Sequence, residues 1–321
     1  MLSYHAPWWL PGGHLQTIYA SLFARKPRVL YRRERWELAD GDFLDLDWVD
    51  GVADKPLLAL FHGLEGSSQG HYALTLMDAL RRKGWRGVAV NFRGCSGTPN
   101  RLARAYHSGD SAEIKMVLTY LKAQAGAQAL YATGISLGAN ALLKWLGESG
   151  VEAQQLLSGA AAISAPVDLG STGKRLDKGF NRYSYTRHFL KTLRRKTQEK
   201  ITAHRLPISP HDLRTAKTLY AFDDLYTAPM HGYRNADDYW QRASSKPWLN
   251  SIAVPTLIVH AQNDPFLSAN TYLEEALLSP SITLDLPREG GHVGFVSGPF
   301  PGKLNWLPHR VLDFFTQNHD S

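Results

Sequence analysis

The 321-residue sequence contains one cysteine, Cys95, so it cannot form an intrachain disulfide framework. A single cysteine fits a reducing compartment, for which the cytoplasm is the default. Residues 1–9 have neither a basic segment nor a sustained apolar run, and we therefore expect no secretory signal. No stretch of the chain approaches the apolar length of a membrane span. The sequence thus predicts a cytoplasmic protein without a membrane-spanning helix.

Two kinds of ligand-binding motif are also missing. The chain has no His-Glu-x-x-His pattern, which would hold zinc on one helix face. No Gly-x-Gly-x-x-Gly follows a predicted strand, so the phosphate-binding turn of a dinucleotide site is missing too. We therefore expect no metal and no cofactor.

The formal net charge is +7, but the excess of basic over acidic side chains is confined to one segment. Residues 174–200 hold ten basic and two acidic side chains, which leaves the rest of the chain about neutral. A nucleic-acid-binding protein is expected to carry basic residues along an entire groove, so we expect no nucleic-acid partner. Two interpretations of the basic segment stay open. It is either a solvated helix face that maintains solubility, or a face that docks on an anionic membrane surface or an acidic substrate head group.

Apolar strands alternate with amphipathic helices along most of the chain. Asp40-Gly41, between 29–38 and 43–49, is typical of a hairpin turn. The alternation that follows predicts an α/β protein whose mostly parallel sheet is covered by helices on both faces and opened by an antiparallel hairpin. Strands are predicted at 57–61, 87–92, 130–133, 159–164, 256–260 and 282–286, and helices at 72–82, 110–123, 139–146, 268–278 and 308–315.

Two stretches depart from this alternation. Residues 1–27 are rich in aromatics and proline and show no helix or strand period, so we expect an ordered arm on the body. Residues 168–250 carry the basic segment, several prolines and many aromatics between two core strands. We therefore predict an α/β core formed by residues 1–167 and 251–321, with residues 168–250 inserted as a helical cap over the site.

Ser136 lies in Gly134-Ile135-Ser136-Leu137-Gly138, between an apolar strand and an amphipathic helix. This pattern is typical of a nucleophile elbow, in which a strand turns directly into a helix and small residues are needed on either side of the serine. The alternative is a structural serine in an ordinary turn. Because strand and helix are both in place, we predict that Ser136 is a nucleophile.

A nucleophilic serine needs a histidine to take its proton and a carboxylate to orient that histidine. Asp264 and His292 follow the predicted strands 256–260 and 282–286, in the chain order Ser, Asp, His that this elbow requires. Asp264 precedes a proline, so it could simply start a turn. Glu289 is the alternative acid, but it lies only three residues from His292. We predict the triad Ser136, Asp264 and His292.

The negative charge that develops on the substrate oxygen needs fixed N–H donors. Leu137 follows the nucleophile at a helix start, and Leu64 lies in His62-Gly63-Leu64-Glu65-Gly66 after an early strand. This His-Gly pattern is similar to the oxyanion loops of lipases and esterases. We predict that Leu64 and Leu137 form the oxyanion hole, and that His62 shapes the loop without reacting.

With these motifs the chain resembles the α/β-hydrolase superfamily over nearly its whole length. Within it, the chain is similar to the YheT-type bacterial hydrolases, which are related to eukaryotic α/β-hydrolase-domain phospholipases and yeast medium-chain ethyl-ester synthases. The resemblance implies the same triad and an esterase-like activity on short or medium acyl chains. Besides the elbow, it rests on residues 7–10, 14–17, 62–66, 91–97, 106–109, 222–224, 226–232 and 290–295.

The sequence therefore predicts a monomeric serine carboxylesterase that acts on a small-molecule or lipid-like ester. Two rivals stay open. An acyltransferase or thioesterase would use the same three residues, because water and an alcohol compete for one acyl-enzyme. A non-catalytic binding module would keep the fold without the reaction.

Overall fold

A computed structural model of the chain describes residues 3–267 and 278–317. Its centre is one eight-stranded sheet with the strand order β1-β2-β4-β3-β5-β6-β7-β8. β1 and β2 form the predicted hairpin, and β2 also pairs antiparallel with β4, whereas all remaining pairs are parallel. The predicted fold class is confirmed. The strands are β1 Arg32–Glu37, β2 Phe43–Val49, β3 Leu57–Phe61, β4 Arg86–Asn91, β5 Leu130–Ile135, β6 Gly159–Ile163, β7 Thr256–Val259 and β8 Ile282–Asp285.

Helices follow most strands and agree with the predicted ones to within a few residues. The predicted helix at 268–278 lies outside the described residues except for its last position. The helices are α1 Gly13–Leu22, α2 His71–Lys83, α3 Ser111–Ala125, α4 Leu137–Ser149, α5 Leu169–Leu176, α6 Gly179–Asn181, α7 Arg187–His204, α8 Pro210–Thr215, α9 Leu219–Phe222, α10 Ala228–Met230, α11 Ala236–Ala243 and α12 Trp306–Gln317, with π-helical turns at Arg182–Thr186 and Asp223–Thr227 and 3₁₀ turns at Gly150–Gln155 and Lys246–Ser251.

The sheet is buried on both faces because helices cover each of them. One face packs against α3 and α4 through side chains such as Val117 and Leu142. The other packs against α2 and α12 through side chains such as Met77 and Phe315. Since the central strands β3, β5 and β6 are mostly apolar on both faces, their polar neighbours lie mainly beyond the ends of these strands.

The alternating aspartates of β2 do not face solvent. Asp45 and Asp47 are both about 1% exposed, and each accepts two hydrogen bonds from a neighbouring arginine of β1, Arg35 and Arg33 respectively. Asn91 of β4 donates a further bond of 2.9 Å to Asp47. Paired in this way, both carboxylates can be buried beside the edge strand β1.

The N-terminal arm contains a helix that its sequence pattern did not indicate. Residues 13–22 form α1, which lies against the loops that follow β7 and β8. The helix showed no apolar period because it is short and its buried side chains include the polar Gln16 and Thr17.

The chain between β6 and β7 forms the helices and turns from α5 to α11, of which only α7 is long. Their apolar side chains, among them Leu176, Phe222 and Trp240, pack into a cluster that also includes Phe266 of the loop after β7. This cluster lies above the carboxyl ends of the central strands, because several of its members line a cavity that opens onto Ser136.

Candidate active site

Ser136 occupies the turn between β5 and α4 with φ 50° and ψ −116°. Both flanking glycines are required because the backbone of neighbouring segments lies too close to leave room for a β-carbon. A β-carbon on Gly134 would lie 2.5 Å from Ala139 Cα, and one on Gly138 would lie 2.5 Å from the carbonyl oxygens of Phe61 and His62. The strained turn therefore holds the hydroxyl at the end of the sheet, where the side chain is half-buried beside the cavity.

The structure brings the three predicted side chains together. His292 Nε2 lies 2.9 Å from Ser136 Oγ, and His292 Nδ1 lies 2.8 Å from Asp264 Oδ2. The three residues follow β5, β7 and β8, which are parallel strands of one sheet, so the carboxyl ends of these strands share one edge. The arrangement allows His292 to accept the serine proton on one nitrogen while the carboxylate holds the other.

Asp264 is 1% exposed, and its carboxylate is fixed on both oxygens. Oδ1 accepts a 2.8 Å hydrogen bond from the Phe266 N–H, which leaves Oδ2 for His292. Burial alone would raise the pKa of Asp264, but the His292 imidazole and the Phe266 N–H hold it below its usual range. The Phe266 ring also packs on His292 with centroids 4.2 Å apart. The carboxylate is therefore charged and aligned with the imidazole.

The alternative acid, Glu289, has another partner. Its Oε1 lies 3.3 Å from Gln16 Nε2, on the N-terminal helix α1. His292 Nδ1 bonds to Asp264. The geometry thus favours Asp264 over Glu289 as the group that orients the imidazole.

The second predicted feature is the oxyanion loop, residues 62–66 after β3. It lies directly against the nucleophile, since a β-carbon on Gly63 would be 3.2 Å from Ser136 Cβ. Leu64 and Leu137 both line the cavity beside Ser136. Among the described residues, no acceptor is found for either backbone N–H. Both groups are therefore available to a ligand at the serine.

His62 supports this loop, as the sequence suggested. Its Nδ1 lies 2.7 Å from the Gly63 carbonyl oxygen, and its Nε2 accepts a 3.1 Å bond from the Phe92 N–H. Burial lowers the pKa of His62 to about 4, so the ring is neutral and can both donate and accept. It is a structural histidine that fixes the turn.

Sequence reasoning missed further supports of the oxyanion loop. The Glu65 N–H donates to Tyr106 Oη at 2.7 Å, and Tyr106 donates back to Glu65 Oε1 at 2.9 Å. Lys196 of α7 adds a 2.9 Å ion pair to the same carboxylate. These groups are distant in sequence and belong to no local motif, apart from the 106–109 stretch that carried the resemblance.

The basic segment is only partly a free surface. Lys196 is engaged with Glu65, and Lys200 Nζ donates to Asn100 Oδ1 at 2.7 Å and to the Leu102 carbonyl at 2.6 Å. Arg194 donates to the Ala216 carbonyl. Burial lowers the pKa of Lys200 to about 8. These three residues therefore fasten α7 to its surroundings, and the exposed positive charge is smaller than the count of residues implies.

The cavity at Ser136 has a volume of about 1210 Å³. Apolar and aromatic residues from the helices between β6 and β7 line it, among them Leu219, Phe222 and Trp240. The polar loop 93–101 and residues of α7 line it as well. The cavity at the nucleophile therefore offers both apolar and polar surroundings to a ligand.

Several known proteins are similar to the chain, and one family model matches it. The model of the α/β-hydrolase fold matches residues 56–299. The chain is 40% identical over 308 residues to the Escherichia coli (strain K12) protein named "Putative esterase YheT", covering 94% of this chain and 90% of that protein. It is 28% identical to human "Phospholipase ABHD3" over 98% of this chain and 78% of the human protein. It is 29% identical to "Medium-chain fatty acid ethyl ester synthase/esterase 2" of Saccharomyces cerevisiae over 91% of this chain and 66% of that protein.

Proposed function

Because the chain belongs to the α/β-hydrolase family, we propose that this carboxylesterase-like hydrolase cleaves esters through an acyl-enzyme on Ser136. The observation that carries the proposal is the pair of contacts made by His292, at 2.9 Å to Ser136 Oγ and 2.8 Å to Asp264 Oδ2. A serine hydroxyl becomes a useful nucleophile only when a base in this position takes its proton. The arrangement also argues against a binding module that only keeps the fold.

Each residue has one role in the proposed reaction. Ser136 Oγ attacks the ester carbonyl while His292 Nε2 takes the hydroxyl proton, and Asp264 stabilises the imidazolium that forms. The N–H groups of Leu64 and Leu137 hold the oxyanion of the tetrahedral intermediate. His292 then gives its proton to the leaving alcohol, and water releases the acyl group by the same steps in reverse order. The site lies within one chain, so a monomer suffices.

We propose a lipid-like ester of a short or medium acyl chain as the substrate class. The cavity exceeds the roughly 300–1,000 Å³ of ordinary small-molecule pockets, which supports an alcohol group larger than methanol or ethanol. Residues 168–250 would act as a cap over core residues 1–167 and 251–321, with Leu219, Phe222 and Trp240 enclosing the acyl chain.

Turnover of p-nitrophenyl esters from acetyl to palmitoyl tests this proposal. We expect kcat/KM to rise towards medium chains, because each buried methylene adds about 0.8 kcal/mol of binding, and to fall for palmitoyl. A maximum of kcat/KM at palmitoyl would contradict the proposed acyl-chain preference, but it would leave the assignment of the triad unaffected. Adding ethanol separates a hydrolase from an acyltransferase, because a product that is mainly the ethyl ester would favour the acyltransferase. A thioester of the best acyl group separates an esterase from a thioesterase, because faster cleavage of the thioester would favour the thioesterase.

We further propose that an anionic lipid surface docks at the mouth of the cavity. Two exposed apolar side chains lie on α1 or against it: Leu22 of α1 lines the cavity, and Phe180 of α6 packs on His14 of α1 with ring centroids 4.8 Å apart. Arg187, Lys191 and Arg195 are exposed at a spacing of four residues on α7, and Arg195 both lines the cavity and pairs with Glu199 at 3.4 Å. Exposed positive charge together with exposed apolar side chains is complementary to an anionic lipid surface. In the described part of the chain, no helix is both long and apolar enough to cross a membrane.

Co-sedimentation with vesicles that contain anionic lipid tests this docking. We expect Arg187→Gln combined with Lys191→Gln and Arg195→Gln to lower the partition coefficient at low salt by about 100-fold, since each cation contributes about 1 kcal/mol near such a surface. The matched control changes the exposed Lys55, Lys83 and Lys115 to Gln, which removes the same charge elsewhere. Equal losses for the two triple variants, or binding without salt dependence, would leave only the solubility role of the basic segment.

A further inference from the structure

The loop that carries His292 is held by three side chains at three consecutive backbone positions. The Gly290 N–H donates to Gln16 Oε1 at 2.8 Å, and the Gly291 N–H donates to Asn263 Oδ1 at 2.9 Å. The His292 N–H donates to Thr17 Oγ1 at 2.8 Å. This loop has no regular secondary structure, so side chains supply the bonds that a strand or helix would otherwise provide.

Gln16 also ties this loop to the acid loop. It is completely buried, and its Oε1 accepts a second bond, 3.0 Å from Asn263 Nδ2. Its Nε2 donates to the Leu10 carbonyl at 3.0 Å. Asn263 immediately precedes Asp264, so one side chain of α1 connects the backbone beside the base with the residue beside the acid.

The contact between α1 and both loops leaves no spare room. A β-carbon on Gly13 would lie 1.9 Å from the Asn263 carbonyl oxygen, and one on Gly291 would lie 2.6 Å from the Gly13 carbonyl oxygen. Thr17 Oγ1 in turn donates to that same Gly13 carbonyl at 2.6 Å. The first turn of α1 therefore packs tightly against both the loop that carries Asp264 and the loop that carries His292.

We propose that Gln16 and Thr17 are positioning residues, which act on the reaction through His292 by fixing its loop against Asp264 and Ser136. This inference rests on the proposed function, because it assigns the two residues to the same proton transfer. Neither side chain touches the reacting atoms. Proton transfer depends on geometry held to within about 0.5 Å, and a loop without regular structure reaches that precision only when its backbone is bonded on every side.

Thr17→Val is the decisive variant, because valine keeps the shape of threonine and removes only the hydroxyl. We expect kcat for a p-nitrophenyl ester to fall by about 10- to 100-fold with KM nearly unchanged, the size of effect expected for a small misplacement. Thr17→Ser restores the acceptor and should recover most of the lost kcat. The matched control is Thr316→Val on α12, where a half-buried hydroxyl donates to the Leu312 carbonyl at 2.8 Å; its kcat should stay at the wild-type value.

A second readout separates positioning from general destabilisation. The His292 Nδ1–H bonded to Asp264 is expected to give a low-field proton resonance, which Thr17→Val should broaden or shift and Thr17→Ser should restore. Should Thr17→Val not fold, Thr17→Ala removes the same hydroxyl with a better helix former. A folded Thr17→Val or Thr17→Ala protein with wild-type kcat and an unchanged resonance would overturn the proposal.

The same measurement distinguishes this inference from the proposed function. The resonance reports on the His292–Asp264 contact without any substrate. If Ser136→Ala kept its activity, the proposed function would fail, and a Thr17-dependent resonance would still show that α1 positions the histidine. If Ser136→Ala were inactive and Thr17→Val behaved as wild type, only the positioning role would fail.

Discussion

Ser136→Ala is expected to lower kcat for ester cleavage by about a millionfold, the loss observed when a serine protease loses its nucleophile. A residual acceleration of about 10³ to 10⁴ over the uncatalysed reaction should remain, because the oxyanion donors and the cavity are untouched. Alanine keeps the β-carbon of serine, so the turn at φ 50° is no more strained than before. The loss would therefore come from the missing hydroxyl and not from a changed fold.

Labelling by a fluorophosphonate measures the same residue directly, and the variant should not be labelled. The chain offers a matched control in Ser164, which also has φ 50° and lies just past the neighbouring strand β6, but is completely buried. Ser164→Ala should be labelled like the wild type. Labelling of Ser136→Ala at the wild-type rate would show that another residue is the nucleophile.

Asp264→Asn is expected to lower kcat by about 10⁴-fold, the effect of the same change in a serine protease. The asparagine amide can donate to His292 Nδ1, which then becomes the acceptor nitrogen. The proton would sit on Nε2, 2.9 Å from Ser136 Oγ, and the ring could no longer act as the base. Because the wild-type pKa of Asp264 is held below its usual range, the carboxylate is ionised at neutral pH, and lowering the pH to that range should not protonate it.

Glu289→Gln is the control for this variant, since Glu289 is the alternative acid and lies three residues before His292 in the sequence. It bonds to Gln16 at 3.3 Å, and we expect kcat to change little. A large loss in Glu289→Gln together with a small one in Asp264→Asn would mean that the acid has been wrongly assigned.

Most of the fold could be predicted because its signals are local. The β3, β5 and β6 strands are short apolar runs of five or six residues, and α2 and α3 show apolar residues at helical spacing. Strand–helix alternation then predicts a parallel sheet, and in a parallel sheet the loops that follow the strands all lie at the same edge. For that reason the order of Ser136, Asp264 and His292 along the chain was enough to predict that the three side chains meet.

What failed or was missed depends on contacts between distant segments. Gln16 and Asn263 are separated by 247 positions, and Lys196 and Glu65 by 131, so no spacing in the sequence could relate them. The N-terminal helix was missed for the same reason: its buried residues are selected by the loops they hold and not by an apolar core.

The sequence by itself determined where along the chain the candidate catalytic groups lie. They are an elbow that needs Gly134 and Gly138, an acid and a base after the last two strands, and an oxyanion loop after β3. These follow from backbone sterics and from the period of each element, which every residue carries locally. Only the tertiary structure decided which polar side chains are hydrogen-bonded to distant segments of the chain. Lys196 and Lys200 were counted as surface charge but turn inward to Glu65 and Asn100, and Gln16 was unremarkable in sequence but is fully bonded between two loops. The reason is physical: a buried polar group is stable only with its partners in place, and those partners are brought together by the fold.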